Sequence, residues 1–321
     1  MTQFSNINAG IPSGPTYDDN LHLKVFSGEV MTTFHRETVM KGRIRIRNIT
    51  SGSSAQFPAI GRGKAGYHTP GDLILGQQVE HDERIIPIND LLITSRFISN
   101  WEEAVNHYDV RAEYTRSMGD ELAQEYDRHL FALASKIARD EQAGAVAGMG
   151  AASLDAVGVN PTLQTVVDAI YDGAAEFDKR NLPKEGRTVA VTPDLYWDFI
   201  QDGTFLNRDF GNSNGSQAGG NILRVAGFEV VPSNNFAVDF SADANMVKVR
   251  RNGVVDTKFN LDNTSALALM FHNWALGAVH LMGVATEKKY MVERQGTLVV
   301  SRMACGYGEL REEGLHLIAA E

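Results

Sequence analysis

Residues 100–141 read NWEEAVNHYDVRAEYTRSMGDELAQEYDRHLFALASKIARDE, and their pattern predicts one helix from Asn100 to Glu141. Apolar and small residues recur at steps of three, four and their multiples, the spacing of one face of an α-helix. The residues on this face are Trp101, Val105, Tyr108, Ala112, Leu122, Tyr126, Leu130, Leu133 and Ile137. At 1.5 Å per residue the helix would be about 60 Å long. A helix of that length outspans a small compact domain and therefore predicts an extended subunit.

The composition bounds the classes of protein to consider. The chain has 321 residues, of which 43% are hydrophobic, so it can bury a sizeable core, and its length favours about two domains. The polar segment Met1–Asn20 is expected to be a flexible arm rather than a secretory signal. No apolar run reaches the roughly 18 residues of a membrane span. Cys305 is the single cysteine, which excludes an internal disulfide.

Charge is distributed unevenly along the chain. The net charge of −10 argues against a dedicated nucleic-acid binder, whose surface is normally basic. Residues 24–64 nevertheless carry eight basic side chains against two acidic ones, whereas residues 101–150 carry ten acidic against five basic. A basic segment and an acidic helix in one molecule favour pairing between copies. Two solvated faces of opposite sign would give the same counts.

The segment Met40–Arg47 alternates apolar and basic residues, which predicts a strand with one charged face. Arg43, Arg45 and Arg47 would project to the same side of this strand. They are expected to meet acidic groups of a neighbouring copy or the phosphates of enclosed nucleic acid. The alternative is an edge strand whose charges protect it from aggregation.

A long excursion follows, from Ser51 to Asp90, with many glycines and three prolines. Strand-like segments at Ser54–Ile60 and Val79–Ile93 flank its turn-rich centre, which predicts an extended hairpin. An isolated two-stranded hairpin is at best marginally stable in water. We therefore expect this hairpin to lie on another subunit.

The second half of the chain predicts a mixed α+β domain. Helices are expected from Asn160 and from Pro193, strands at Arg187–Thr192 and Ser265–His272, and a strand or hairpin at Ile222–Pro232. The final segment, Leu281–Glu321, alternates as strands do, and we expect it to return and pack beside the long helix.

Two glycine-rich strings match enzyme motifs and supply the alternative hypothesis of a soluble enzyme. Gly61-x-Gly63-x-x-Gly66 resembles a dinucleotide fingerprint, and Gly211-x-Ser213-x-Gly215 resembles a nucleophile elbow. Neither string lies between a strand and a helix, as its chemistry requires. The histidines show no metal-ligand spacing, so no catalytic residue, cofactor or metal is expected.

Several stretches resemble the major capsid proteins of short-tailed podoviruses of the autographivirus group. The most specific is the ten-residue segment inside the long helix, and residues 145–225 match least. The stretches are Asp19–Val30, Ser51–Pro58, Gly61-Arg62, Tyr67 with Pro70-Gly71, Asn106–Thr115, Gly227–Val231 and Gly306–Arg311.

This resemblance implies an α+β fold of the HK97-like capsid type with five regions. They are an N-terminal arm (1–50), an extended loop (51–95), a peripheral-domain spine helix (96–145), an axial domain (146–280) and C-terminal strands that return to the peripheral domain (281–321). The implied function is a major capsid protein that forms hexamers and pentamers in an icosahedral shell around double-stranded DNA. Implied partners are a scaffolding protein and a portal, with assembly in the host bacterial cytoplasm.

Inter-subunit contacts are expected from the three arginines of the first strand and from the tip of the hairpin. The tip residues expected to make them are Arg62, Lys64, Tyr67 and Asp72. Some proteins of this fold cross-link through lysine and asparagine, and Lys64 would be the candidate donor. The podoviral resemblance argues against such a bond, and we predict none.

Overall fold

The protein is described by a computed structural model. It describes residues 30–34, 38–61, 63, 65–71, 73–74, 76, 79, 81–88, 91–101, 111–140, 150–202, 215–216, 221–222, 224–243, 246, 248–249, 255–256 and 258–321. In these ranges, helices and two main sheets combine into an α+β architecture. The longer helices are α1 (Arg111–Asp140), α2 (Leu163–Lys179) and α3 (Pro193–Asp202).

The strands are given in chain order. They are β1 (Arg45–Asn48), β2 (Ser54–Ile60), β3 (His81–Pro87), β4 (Leu91–Ser99), β5 (Ser153–Ala156), β6 (Arg187–Val191), β7 (Gly215–Ser216), β8 (Asn221–Ile222), β9 (Arg224–Val225), β10 (Phe228–Pro232), β11 (Lys248–Val249), β12 (Val255–Asp256), β13 (Ala266–His272), β14 (Leu276–Met291), β15 (Gly296–Glu309) and β16 (Leu315–Ala319). One sheet has the order β1-β14-β15-β4, and a six-stranded sheet has the order β5-β16-β13-β6-β10-β9. Strands β2 and β3 form a separate hairpin.

The predicted long helix is confirmed over Arg111–Asp140, and residues 100–101 are also helical. Residues 102–110, with Val105 and Tyr108, lie outside the described residues, as do residue 141 and the side chain of Ala112. The prediction of a single apolar face is wrong at Trp101, which is 77% exposed. Leu122, Tyr126, Leu130 and Leu133 are buried as predicted, but so are Met118, Phe131, Ala132, Ala134 and Ala138.

Helix α1 is buried so widely because it packs on both sheets. One cluster of buried side chains joins the helix to strands of each sheet, with Met303 from β15 and Leu317 from β16 among them. A second cluster lies on the other face of the six-stranded sheet, where α2 and α3 cover it. The six-stranded sheet therefore forms the middle layer between α1 on one side and two shorter helices on the other.

The helices and strands predicted between residues 160 and 272 lie close to their expected bounds. The apolar stripe of α2 is buried at Val166, Val167, Ile170 and Phe177, as its spacing predicts. The helix begins at Leu163 rather than at the expected Asn160-Pro161, and the hydroxyl of its N-cap Thr162 accepts from the Thr165 N–H at 3.3 Å. Strand β6 is buried along its whole length, which fits its central place in a covered sheet.

Two predicted boundaries fall inside strands. The boundary at residue 95 cuts β4, which belongs to the four-stranded sheet, and the boundary at residue 280 cuts β14. The C-terminal segment is divided between sheets, since β15 joins the four-stranded sheet and β16 the six-stranded one. Both strands contact α1, as expected of that segment. Because the chain passes from one sheet to the other between β15 and β16, the C-terminal segment contributes to both sheets.

Candidate inter-subunit surface

The extended hairpin is present, with a shorter second strand than predicted. Strands β2 and β3 pair antiparallel from Ser54 opposite Pro87 to Ile60 opposite His81. The predicted strand Val79–Ile93 is wrong in its second half, because β4 begins a new strand at Leu91 in another sheet. A Cβ at Gly306 would collide with the Pro87 carbonyl oxygen, so the chain leaves the hairpin directly over β15.

The base of the hairpin packs on its own chain. Ala55 and Ile86 are buried with Val279 of β14 and Leu310 in a small apolar cluster. On β3, Arg84 lies 3.2 Å from a carboxylate oxygen of Glu312. The expectation that the hairpin lies on another subunit is therefore wrong for its base, because this chain supplies the apolar and charged partners there.

The tip of the hairpin differs from its base, because large apolar side chains are exposed there. Tyr67 is fully exposed, and Leu73 and Ile74 are 83% and 77% exposed. Exposed apolar groups of this size make the tip the candidate surface for contact with another molecule. Three of the predicted contact residues, Arg62, Lys64 and Asp72, lie outside the described residues.

The basic strand is shorter than predicted and forms one edge of the four-stranded sheet. Strand β1 begins at Arg45 and pairs in parallel with β14, so the alternation does not include Arg43. Arg43 lies 2.5 Å from a carboxylate oxygen of Glu229 on β10. Arg47 donates to the backbone carbonyl of Gln56 on β2, and Arg45 is exposed. The alternative prediction of an edge strand therefore agrees with the position of β1 in the sheet. Arg43 and Arg47 contact their own chain.

A buried polar cluster beneath this segment is not predicted by the sequence pattern. The Asp127 carboxylate of α1 accepts from the N–H groups of Val39 (2.7 Å) and Met40 (3.1 Å). Burial raises the pKa of Asp127 to about 7, against the lowering effect of the two N–H donors. The Tyr126 hydroxyl lies 3.1 Å from Nε2 of His280. The sequence does contain one signal for this cluster, because Asp127 is an acidic residue next to Tyr126 on the apolar side of the predicted helix.

The segments behind the enzyme alternative show no catalytic geometry where they are described. Residues 61, 63 and 65–70 contain no helix that could follow the glycine string, and Ser213 lies outside the described residues. In the described ranges, no three potential metal ligands gather at one place. None of the described helices combines the length and apolarity needed to cross a membrane.

Comparison with known proteins decides the family. A family model described as Gp10A-like major capsid protein matches residues 56–317. The chain belongs to this family. The major capsid protein of Enterobacteria phage T3 is 32% identical over 322 residues, covering 91% of this chain and 89% of that protein. The major capsid protein of Escherichia phage T7 is 31% identical over 312 residues, covering 91% and 90%.

The fold comparison agrees with the family. The capsid structure of cyanophage P-SCSP1u superposes with a TM-score of 0.75 at 30% identity, covering 98% of this chain and 97% of that one. The chain therefore has the HK97-like capsid fold and is a major capsid protein of a tailed phage that forms the capsid shell of the virion. The family is one of structural proteins, and nothing in the comparisons supports the enzyme alternative.

Proposed function

We propose that this capsid protein assembles as hexamers and pentamers into an icosahedral shell that encloses the double-stranded DNA of the phage. The observation that supports this most is the hairpin, whose base is fixed to its own subunit while its tip presents exposed apolar side chains. A fixed base gives the tip a defined direction, and an exposed tip favours burial on an adjacent copy. Assembly takes place in the host bacterial cytoplasm with a scaffolding protein and a portal.

Tip contacts between copies would come from Arg62, Lys64, Tyr67 and Asp72. Each such contact is modest, but a closed shell repeats it by symmetry. Stability then comes from the number of contacts rather than from one strong interface. No covalent cross-link through Lys64 is proposed. A denaturing gel of mature particles should therefore show single subunits, and a ladder of linked subunits would contradict this.

The arginines of the basic segment have two roles open to them in the shell, contact with a neighbour's acidic groups or non-specific contact with packaged DNA. Arg45 is the one to test, because Arg43 and Arg47 already hold Glu229 and Gln56. Arg45→Gln shells that form normally but retain less DNA at raised salt would favour the DNA contact. Failure of the variant to form shells would favour the contact between copies.

The test of the proposed function is removal of the hairpin tip. Ile60 and His81 are paired, so an Asn-Gly turn replacing residues 61–80 closes the shortened hairpin without altering its base. A second variant replaces the same residues with an equally long Gly/Ser linker. Both variants should unfold at the same temperature as the unaltered protein, and neither should form closed shells by negative-stain electron microscopy. Normal shells from the linker variant would show that the tip side chains are not needed.

A further inference from the structure

Two adjacent chain crossings connect the four-stranded sheet to the six-stranded sheet. Leu276 pairs with Glu309 at the end of one sheet, and Phe271 pairs with Leu315 at the start of the other. Only residues 272–275 and 310–314 lie between these pairs. The Ala275 carbonyl accepts from the N–H of Leu310 (2.8 Å) and from that of Arg311 (3.2 Å). The two crossings are therefore bonded to each other and form one narrow joint.

The second crossing contains a short 3₁₀ turn, Glu312–Gly314, whose first two residues face different parts of the molecule. Glu312 is held from the hairpin side, because Arg84 of β3 lies 3.2 Å from its carboxylate. Glu313 is held from the side of the six-stranded sheet, because its carboxylate accepts from the Gly150 N–H at 3.3 Å. Arg180, which follows α2, donates to the Glu313 carbonyl oxygen at 3.0 Å.

Because these carboxylates are buried, loss of a contact costs more stability here than loss of a surface ion pair would. The Glu312 side chain is 8% exposed and that of Glu313 is 2% exposed, while Arg84 is 22% exposed. A buried carboxylate that loses a charged partner loses much of the compensation for its desolvation. Movement of Arg84 away from Glu312 would therefore displace the turn. Glu313 is the next residue of the same tight turn, so its contacts with the six-stranded side would be displaced as well.

We propose that the Glu312–Glu313 turn couples the position of the extended hairpin to the six-stranded sheet and helix α2. The apolar cluster under the hairpin and the Arg84–Glu312 pair form the input side of this coupling. Gly150 and Arg180 form the output side. In the shell, docking of the hairpin tip on a neighbour would thereby change the packing at the far sheet of the same subunit. This last step rests on the proposed function, whereas the coupling itself is a property of the single chain.

Hydrogen exchange on the unassembled full chain tests the coupling. Arg84→Met removes the charge that holds Glu312, and Arg84→Lys keeps it with a different geometry. In the Arg84→Met protein, amides of residues 150–156 and 313–319 should exchange about tenfold faster or more, since loss of one partner of a buried pair is strongly destabilising. The Arg84→Lys protein should show a smaller increase. The matched control is Arg302→Met, which breaks the more exposed Arg302–Glu287 pair on the β14–β15 ladder and should leave those amides unchanged.

Coupling is reciprocal, so it can be tested from the other side. Arg180→Met removes the donor to the Glu313 carbonyl oxygen. Amide exchange in β3 should then be faster, although the Arg180 contact that is removed lies at Glu313 and not on β3. Faster exchange confined to β2, β3 and residues 309–312 in the Arg84→Met protein would overturn the proposal. So would an unchanged β3 in the Arg180→Met protein. Neither measurement requires shells, so the proposal can fail while the function in assembly stands, and the reverse is also true.

Discussion

The Asp127 carboxylate accepts a hydrogen bond from the Val39 N–H at 2.7 Å, although Asp127 lies on the apolar side of α1 and is fully buried. The adjacent Met40 N–H donates to the other carboxylate oxygen at 3.1 Å. These two bonds tie the chain segment that precedes β1 to the middle of the long helix. Burial opposes the charge on Asp127, and its pKa rises to about 7.

Asp127→Asn tests the consequence of this raised pKa for stability. The folded protein keeps a proton on Asp127 between about pH 4 and 7 that the unfolded chain has released, so the carboxyl group lowers the free energy of unfolding as pH rises through that window. Urea unfolding should show that the unaltered protein loses stability relative to Asp127→Asn, by at most about 1.4 kcal/mol per pH unit. The control Asp198→Asn, at an exposed position of α3, should change stability by no more than about 0.5 kcal/mol. A stability difference that stays constant from pH 4 to 7 would contradict the assignment.

His280→Gln should change the pH dependence with the opposite sign. Burial, with the nearby Lys41 charge, lowers the pKa of His280 to about 4. Between about pH 4 and 6.5 the unfolded chain binds a proton that the folded protein does not, so His280 lowers stability as pH falls through this window. The Gln variant should lack this loss in the same urea titration. His81→Gln, at an exposed position on β3, serves as the control and should keep the acid-side loss.

Gly119→Ala should destabilise the protein although alanine favours helices. In a helix interior, alanine is more favourable than glycine by about 1 kcal/mol of helix propensity. A Cβ at Gly119, however, would lie 2.7 Å from Cβ of Thr33 and 2.9 Å from the Val30 carbonyl oxygen. The helical turn at residues 30–34 must then move away from α1, and we expect a net loss of about 1–3 kcal/mol in urea unfolding. Gly42→Ala, where a Cβ meets nothing within 4 Å, should be close to neutral. A more stable Gly119→Ala protein would show that the turn does not pack there.

Leu130→Ala and Trp101→Ala compare two positions that the sequence places on the same helix face. Leu130 is fully buried, so its truncation should cost about 2–5 kcal/mol of unfolding free energy. Trp101 is 77% exposed, so its truncation should change stability by no more than about 0.5 kcal/mol in the isolated subunit. Thermal or urea unfolding of both variants decides the comparison. A large loss at Trp101 would mean that its side chain packs on the same subunit.

The sequence predicts elements with strong local patterns well. Helix α1, helix α2, strand β6 and the hairpin all carry periodicity or turn residues that act within a few positions. What it does not predict are features decided by distant contacts. Trp101 continues the helix period but is exposed, whereas Phe131 lies off the predicted face and is buried because α1 packs on two sheets.

The candidate surface was predicted only in part for the same reason. The tip of the hairpin follows from its turn-rich sequence, but the docking of its base depends on Ile86 meeting Val279 and Leu310, almost two hundred residues or more away. Arg43 shared the alternation of the basic segment, yet its pairing with Glu229 becomes visible only once β10 lies nearby. The role of Asp127 depends on residues 39–40 turning toward α1. These donors lie 88 and 87 residues from Asp127 in the sequence, so no local pattern reveals the contact.

Electron cryomicroscopy of particles assembled from the full chain would show whether the hairpin tip joins neighbouring copies. We expect closed shells built of six-copy and five-copy capsomers, in which Tyr67 at the hairpin tip of each copy is buried against an adjacent copy. Particles whose hairpin tips lie on their own subunits or remain in solvent would contradict it. A full chain that stays monomeric under assembly conditions with scaffolding protein would contradict it as well.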